Sequence, residues 1–342
     1  MDLALFDYEL PPDRIAQYPA ERRDASRLLV LDRATGRWED RVFAELPALL
    51  RAGDCLVVND SRVIPARLPG TLPGGAQVEL LFLRELAPGR WEVLARPAKR
   101  CRPGAVIVLA DVEARVVEAG AEGRRVVEVS GVGSARDFLE RHGLPPLPPY
   151  IRRHRKPGAE DWERYQTVYA RHDGSLAAPT AGLHFTPALM DQLRAGGVEV
   201  HALTLHAGPA SFRPIRAAEV EKHPMPAEQV AVTEAVARAV NRARGDGRRV
   251  VAVGTTVVRA LEWASDPNRR VSPVSGFADL FIYPGHAFKV VDALITNFHL
   301  PRYTHLLLVS AFAGRELVLA AYRHAEAAGY RFYSYGDAML VL

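Results

Sequence analysis

The chain has 342 residues, 48% of them hydrophobic and 25% charged, with a formal net charge of +4. This composition excludes wholesale disorder, and the length calls for two domains or for one domain carrying an insertion. Only Cys55 and Cys101 are present, without paired spacing, so neither a disulfide framework nor a structural zinc site is indicated, and a three-cysteine iron–sulfur site is excluded.

The first residues carry no basic n-region and no small-residue cleavage site, and no apolar run reaches membrane-spanning length. A cytoplasmic protein with no membrane segment is therefore expected. Leu28 to Asp32 and Cys55 to Val58 read as strands. Between about Pro65 and Val132 the pattern changes to short β-branched or alternating runs, at Gln77 to Leu83, Trp91 to Ala95, Ala105 to Leu109, Ala114 to Glu118 and Arg125 to Val129. Five short strands punctuated by Gly and Pro predict a small antiparallel barrel, since closure removes exposed edges. Ser134 can cap a short helix through His142, and the proline-rich stretch from Leu144 to Tyr150 lacks the donors for helix or central strand, so it reads as a return linker.

Beyond it, helices and strands alternate. The helices are predicted at Thr186 to Ala195, Val232 to Ala243, Thr256 to Ala264 and Tyr303 to Ala313, the strands at Val198 to Leu205, Arg249 to Val253 and Asp292 to Ile295. The expected fold class is α/β: a large layered domain from residues 1–64 and 150–342, with a small antiparallel β-barrel and its linker, 65–149, inserted into it. No internal repeat or low-complexity tail is present, which favours an enzyme over an array.

Three basic clusters, Lys99-Arg100-Cys101-Arg102, Arg152 to Lys156 and Arg248-Arg249, can neutralise phosphates, although solvated loops account for such clusters equally well. Candidate chemistry concentrates at strand ends. Asn59-Asp60-Ser61-Arg62 follows an apolar strand, where α/β sheets bind ligands, and Arg62 suits a phosphate or carboxylate; an ordinary Asx turn is the plainer alternative. Pro179 to Pro187 places Thr180, Gly182 and His184 before a helix that Thr186 caps and Pro187 begins, a setting that favours a neutral imidazole. A buried structural histidine is equally compatible. Gly254-Thr255-Thr256 opens a helix whose backbone and hydroxyl donors can hold a carboxylate, ribose or phosphate, while Arg259 and Glu262 can be a simple helix pair.

Thr296-Asn297-Phe298-His299 follows another apolar strand, and Asn297 there can read a base edge or serve as a turn former. Upstream, Asp279 to Gly285 combines an acid, aromatics including Tyr283, and a tight turn. The closing segment from Tyr330 to Met339 sets several aromatics, Tyr335 among them, beside Asp337, which would favour a cation. A terminal strand packing its rings in the core is the commoner use. No Walker loop, GxGxxG fingerprint, HExxH, GxSxG or SxxK occurs. The residues alone thus reach a strand-end pocket in an α/β enzyme without naming a substrate.

Taken together, six ordered blocks span nearly the whole chain. They are Phe6 to Pro11 with Ile15 to Pro19, Asn59 to Arg67, Pro179 to Thr186, Gly254 to Glu262, Asp292 to Pro301 and Tyr330 to Met339. This set closely resembles the S-adenosylmethionine:tRNA ribosyltransferase-isomerase family. The resemblance implies a large α/β domain with an inserted β-barrel. It also implies transfer and isomerisation of the ribosyl group of S-adenosylmethionine onto the aminomethyl group of 7-aminomethyl-7-deazaguanine at the tRNA wobble position, giving epoxyqueuosine, adenine and methionine. S-adenosylmethionine is then a consumed substrate, and no cofactor, no metal and no membrane partner are expected; a monomer is.

On this reading the sulfonium acidifies the adjacent 5′ carbon, and the enzyme supplies a base, a proton donor for adenine and exclusion of water. His184, His299 and Asp337 are the proton-handling candidates. Thr180, Thr255, Thr256 and Arg259 are the S-adenosylmethionine-binding candidates, with Asn59, Asp60, Arg62, Gly182, Asp279, Tyr283, Asn297 and Tyr335 completing the substrate site. The chain departs from the family pattern at Gly208 to Phe212, where Pro209 stiffens the loop, at Pro226, and at Tyr303 and His305 after Pro301. No family role is carried to those positions. Two rivals are a tRNA methyltransferase, which would yield S-adenosylhomocysteine, and a non-catalytic RNA-binding protein.

Overall fold

The structure is a computed structural model that describes residues 1–131, 134–152, 158–209 and 213–342. The basic run at 153–156, the end of the expected barrel at Val132 and the departures at 210–212 lie outside the described residues. The described residues fall into two compact units, one of 1–62, 149–152 and 164–342, the other of 63–148 and 158–163.

The larger unit is built on a nine-stranded mixed sheet. Its order is Val274–Ala278, Glu228–Val232, Glu199–Leu205, Cys55–Asn59, Val250–Val253, Ala293–Asn297, Ala338–Val341, Arg27–Asp32 and Arg37–Val42. The four strands from Glu199–Leu205 to Ala293–Asn297 run parallel. Cys55–Asn59, Val250–Val253 and Ala293–Asn297 are buried along their whole length, as strands covered on both faces must be. Their side chains alternate between two apolar layers. Cys55 and Val57 join Val236, Val257, Leu307 and Val318 from four helices, while Leu56 and Val58 join Leu189, Met190 and Leu193 of the helix Pro187–Ala195. The layered α/β architecture follows directly.

Parallel pairing sets the carboxyl ends Leu205, Asn59, Val253 and Asn297 along one edge of the sheet. Ala338–Val341 is antiparallel to Ala293–Asn297 with Ala338 opposite Asn297, so the aromatic loop preceding it is delivered to that same edge. This aromatic stretch is not the strand its composition suggests. Tyr333 has φ +73°, outside the extended region, and the strand begins only at Ala338. Arg37–Val42 carries no usable apolar alternation, with all but Trp38 exposed, and so leaves no strand signal in the sequence. The predicted helix from Val232 starts two residues later, because the Val236 N–H donates to Thr233 Oγ1 at 3.4 Å and Glu228–Val232 is sheet. The expected cap at Thr186 forms, accepting from the Leu189 N–H at 3.1 Å.

The smaller unit is a closed antiparallel barrel of six strands: Arg124–Val129, Arg90–Arg96, Gln77–Ala87, Arg67–Thr71, Val106–Leu109 and Val112–Ala119. Leu80, Phe82, Val93, Ile107 and Val127 fill its interior. Arg67–Thr71 is the strand the sequence pattern does not reveal, since Pro69 and Gly70 look like a turn. Pro69 points outward, and a Cβ on Gly70 would come within 2.6 Å of Ile107 Cγ2, so only glycine fits where the neighbouring strand crosses closely. Ser134 caps the helix Ala135–His142, accepting from the Asp137 N–H at 3.3 Å. Among the described residues no single helix is long and apolar enough to cross a membrane, and no group of three or more His, Cys, Asp or Glu side chains could hold a metal.

Candidate active site

A cleft of about 520 Å³, open solvent included, sits at the strand ends of the larger unit. Strand Val250–Val253 enters it through Gly254, whose φ of +90° is a glycine conformation and whose N–H donates to Ile295 O at 2.7 Å. The chain then turns into the helix Thr255–Trp263, which has no side-chain cap, and both Thr255 and Thr256 line the cleft. First-turn amides of an uncapped helix are donors for a ligand. Asn59 braces this corner from behind: its Nδ2 donates to Leu205 O at 2.9 Å and Thr256 Oγ1 at 3.2 Å, and its Oδ1 accepts from the Leu205 N–H at 3.0 Å.

The opposite wall holds a hydrogen-bonded series. Thr180 Oγ1 donates to Asn297 Oδ1 at 2.8 Å, Asn297 Nδ2 donates to His184 Nε2 at 3.1 Å, and His184 Nδ1 meets Ser26 Oγ at 2.6 Å. Thr180 and Asn297 line the cleft, whereas His184 lies one layer behind, stacked on Phe43. Burial first, then Arg331 and Arg23, push its pKa down to about 3, so it is neutral. Gly182 holds the turn Thr180–His184 tight: a Cβ there would meet the Tyr169 hydroxyl oxygen at 2.1 Å.

His299 lines the cleft directly and bonds Thr296 Oγ1 through Nε2 at 2.8 Å, with its backbone N–H donating to the Tyr322 hydroxyl at 3.0 Å. Burial and the neighbouring His305 hold its pKa well below the ordinary value. His305 stacks on it with centroids 5.2 Å apart and is pushed down to about 4 by burial and Arg259. Both rings are neutral at neutral pH. Aromatic rings complete the enclosure: Tyr150 and Tyr333 pack edge to face at 4.1 Å, Tyr165 stands near Tyr335 at 5.9 Å, and the Tyr150 hydroxyl bonds Ser334 Oγ. Ring faces suit a sulfonium cation and a flat base.

Two further clefts share residues with the first. One of about 480 Å³ shares Thr255, Thr256 and His305 and is lined by Arg259, which is buried against Glu228 and also donates to Leu280 O at 3.1 Å and Ala278 O at 3.2 Å. The other, of about 270 Å³, shares Ser334 and is lined by His184, Tyr335 and three arginines.

The remaining candidates lie away from these walls. Asp60 is buried and accepts from the Thr204 hydroxyl at 2.7 Å, Arg62 faces Asp173 at the surface at 3.8 Å, Asp279 is exposed, and Tyr283 packs on Phe281 at 5.1 Å. Asp337 is buried and lines none of the three clefts; its oxygens accept from the Arg27 N–H at 3.0 Å and the Arg331 N–H at 2.7 Å. Tyr150, Tyr165, Tyr333, Ser334 and His305 line the clefts although the sequence pattern does not single them out as site residues. Of these, only the aromatic density at the C-terminus carries a signal. The Arg248-Arg249 cluster is absorbed by ion pairs to Glu199 at 2.9 Å and to Asp54.

A family model described as queuosine biosynthesis protein matches residues 3–341. A relative from Moorella thermoacetica named S-adenosylmethionine:tRNA ribosyltransferase-isomerase is 53% identical over 346 residues, covering 100% of both chains. One from Thermus thermophilus with the same name is 52% identical, covering 99% of both. The crystal structure of an S-adenosylmethionine tRNA ribosyltransferase from Thermotoga maritima matches with a TM-score of 0.57 at 40% identity, covering 99% of this chain and 100% of that one. The chain therefore belongs to the queuosine biosynthesis protein family.

Proposed function

We propose that this protein is an S-adenosylmethionine:tRNA ribosyltransferase-isomerase. It transfers and isomerises the ribosyl group of S-adenosylmethionine onto the aminomethyl group of 7-aminomethyl-7-deazaguanine at the wobble position of tRNA, releasing adenine and methionine. The observation that carries this reading is a single cleft, fed by the ends of parallel strands and walled by Tyr150, Tyr333, Thr255, Asn297 and His299, in a chain matched over its full length by relatives of that name. S-adenosylmethionine is spent as a substrate, so no cofactor is needed, and the protein works as a monomer in the cytoplasm, where tRNA is.

The chemistry suits the walls. Tyr150 and Tyr333 line the cleft with aromatic rings suited to the sulfonium and the adenine, and Thr255 and Thr256 bring hydroxyls and first-turn amides suited to the ribose. The sulfonium acidifies the 5′ carbon; an unprotonated imidazole takes that proton, the ribose ring opens with loss of adenine, the substrate amine attacks, and epoxide closure breaks the carbon–sulfur bond and expels methionine. His299 and His305 are the unprotonated imidazoles at the cleft, while His184 acts through Asn297 and Asp337 through Arg331. Enclosure limits hydrolysis of the opened sugar.

The test is incubation with S-adenosylmethionine and tRNA bearing the aminomethyl deazaguanine, followed by mass analysis of the wobble nucleoside and of the small products. Adenine and methionine released in step with the modified nucleoside is the expected result. S-adenosylhomocysteine would indicate methyl transfer instead, and unconsumed S-adenosylmethionine would indicate a binding protein.

A further inference from the structure

We propose that the cleft lined by Arg23, Arg164 and Arg331 is a seat for a backbone phosphate of the tRNA, beside the reaction cleft and separate from it. The proposal rests on the tRNA reading above and adds to it a defined contact. Among the described residues the lining holds three guanidinium groups and no carboxylate. Arg23 Nη1 donates to Leu183 O at 3.1 Å and Arg164 Nη1 to Glu21 O at 3.0 Å, with Arg164 Nη2 on Ala20 O. At Arg164 the backbone carbonyls aim the guanidinium without cancelling its charge. Arg331 is paired with the buried Asp337 at 3.3 Å, a carboxylate outside the lining, so it brings a guanidinium donor to the cleft without adding a net charge. Asp24, on the same turn as Arg23, pairs with Arg22 at 3.2 Å.

A second observation points to an acceptor. Arg164 Nε is buried and has no hydrogen-bond partner among the described residues, which is uncommon for a buried donor. The planar fork of arginine matches the paired non-bridging oxygens of a phosphodiester. The positive field is felt inside the protein: Arg331 and Arg23 both help to depress the His184 imidazole. Position fits function as well. Ser334 lines both this cleft and the reaction cleft, so a phosphate held here places its nucleotide next to the site where the base reacts.

The experiment measures the affinity of the full chain for unmodified tRNA across a salt series, and for S-adenosylmethionine by calorimetry without tRNA. The proteins compared are wild type, the double variant Arg23→Gln/Arg164→Gln and the charge-retaining Arg164→Lys. Loss of one phosphate contact should weaken tRNA binding about tenfold, lower the slope of log affinity against log salt by about 1, and leave S-adenosylmethionine affinity unchanged. Arg164→Lys should keep most of the affinity. Unchanged tRNA affinity and slope in the double variant would overturn the proposal. So would a selective loss of S-adenosylmethionine affinity, which would assign the cleft to the methionyl carboxylate. If the double variant does not fold, Arg23→Gln alone decides by the same slope. Wild-type protein that binds no tRNA would instead remove the tRNA reading itself, an outcome distinct from failure of the pocket.

Discussion

The amide of Asn297 donates to His184 Nε2 at 3.1 Å, and this one bond sets the tautomer of a buried ring. With Nε2 accepting, the proton sits on Nδ1 and is donated to Ser26 Oγ at 2.6 Å, and the Ser26 hydroxyl donates onward to Arg23 O at 3.1 Å. At the other end Thr180 fixes the Asn297 carbonyl oxygen. The cleft-lining amide is therefore oriented by a histidine that does not itself line the cleft. His184→Ala should leave Asn297 Nδ2 and Ser26 Oγ short of a partner, lowering stability by about 1–3 kcal/mol. It should lower kcat/KM by about tenfold to a hundredfold through misplacement of Asn297. His184→Gln, which retains a polar side chain, should recover part of both. Thermal unfolding together with adenine release checks this, and wild-type kinetics in His184→Ala would dismiss the positioning role.

Burial makes the same ring a source of acid sensitivity. The folded-state pKa of His184 is about 3 and that of His305 about 4, both below the ordinary 6.5, while the unfolded chain titrates near 6.5. Between those limits the unfolded chain binds protons that the folded chain refuses. Stability is thus complete above about pH 6.5 and falls as the pH drops toward 4 and then 3, at up to about 1.4 kcal/mol per pH unit for each imidazole. Denaturant unfolding at pH 7.5, 6.0 and 5.0 should show this decline, and His184→Gln should flatten it. An unchanged slope in that variant would mean that other groups carry the acid response.

What is legible in the sequence divides along physical lines. Buried parallel strands such as Cys55–Asn59 and Val250–Val253 are continuous apolar runs, and the caps at Thr186 and Ser134 are local, so both show in the sequence. Arg67–Thr71 does not, because Pro69 and Gly70 are explained only by the closeness of Ile107 on a neighbouring strand. The same holds for the site. Thr180, Thr255, Thr256, Asn297 and His299 come from strand-end loops with local signals and meet in one cleft. Tyr150 and Tyr165 arrive through tertiary placement, and nothing near them in the chain marks them as walls of a cleft. Asp337 has a suggestive neighbourhood of aromatics, but its oxygens answer to the Arg27 and Arg331 amides.

Gly182 offers a steric test. A Cβ at this position would lie 2.1 Å from the Tyr169 hydroxyl oxygen and 2.8 Å from Thr167 Cγ2, within a turn that carries Thr180 and His184. Gly182→Ala should therefore destabilise the protein by roughly 1–3 kcal/mol and reduce turnover together with stability. Adding Tyr169→Phe removes the atom in closest conflict and should restore part of the loss. A single variant as stable as wild type would show that the turn can shift freely.

The buried pair Arg259–Glu228 should behave asymmetrically. Arg259→Ala leaves a carboxylate buried with the Gly208 N–H, at 2.8 Å, as its remaining bonded donor in the described residues, and it also frees the carbonyls of Ala278 and Leu280. A cost of about 3–5 kcal/mol is expected. Glu228→Gln keeps a neutral acceptor for Arg259 and should cost less. Equal losses in the two would argue that the charge interaction is not what holds this corner.

His305 separates function from packing most cleanly. Its Nδ1 is buried with no hydrogen-bond partner in the described residues, its ring stacks on His299, and it borders both the reaction cleft and the neighbouring one. His142, His201, His206 and His286 also carry a buried ring nitrogen without a hydrogen-bond partner in the described residues, but none of them lines the reaction cleft. Because Nδ1 makes no internal bond, His305→Gln should cost little stability, about 1 kcal/mol or less. If this nitrogen meets substrate or takes up a proton, kcat should fall by about a hundredfold or more while the KM for S-adenosylmethionine changes much less. A loss confined to KM would make His305 a binding contact, and a loss confined to thermal stability would return it to the core.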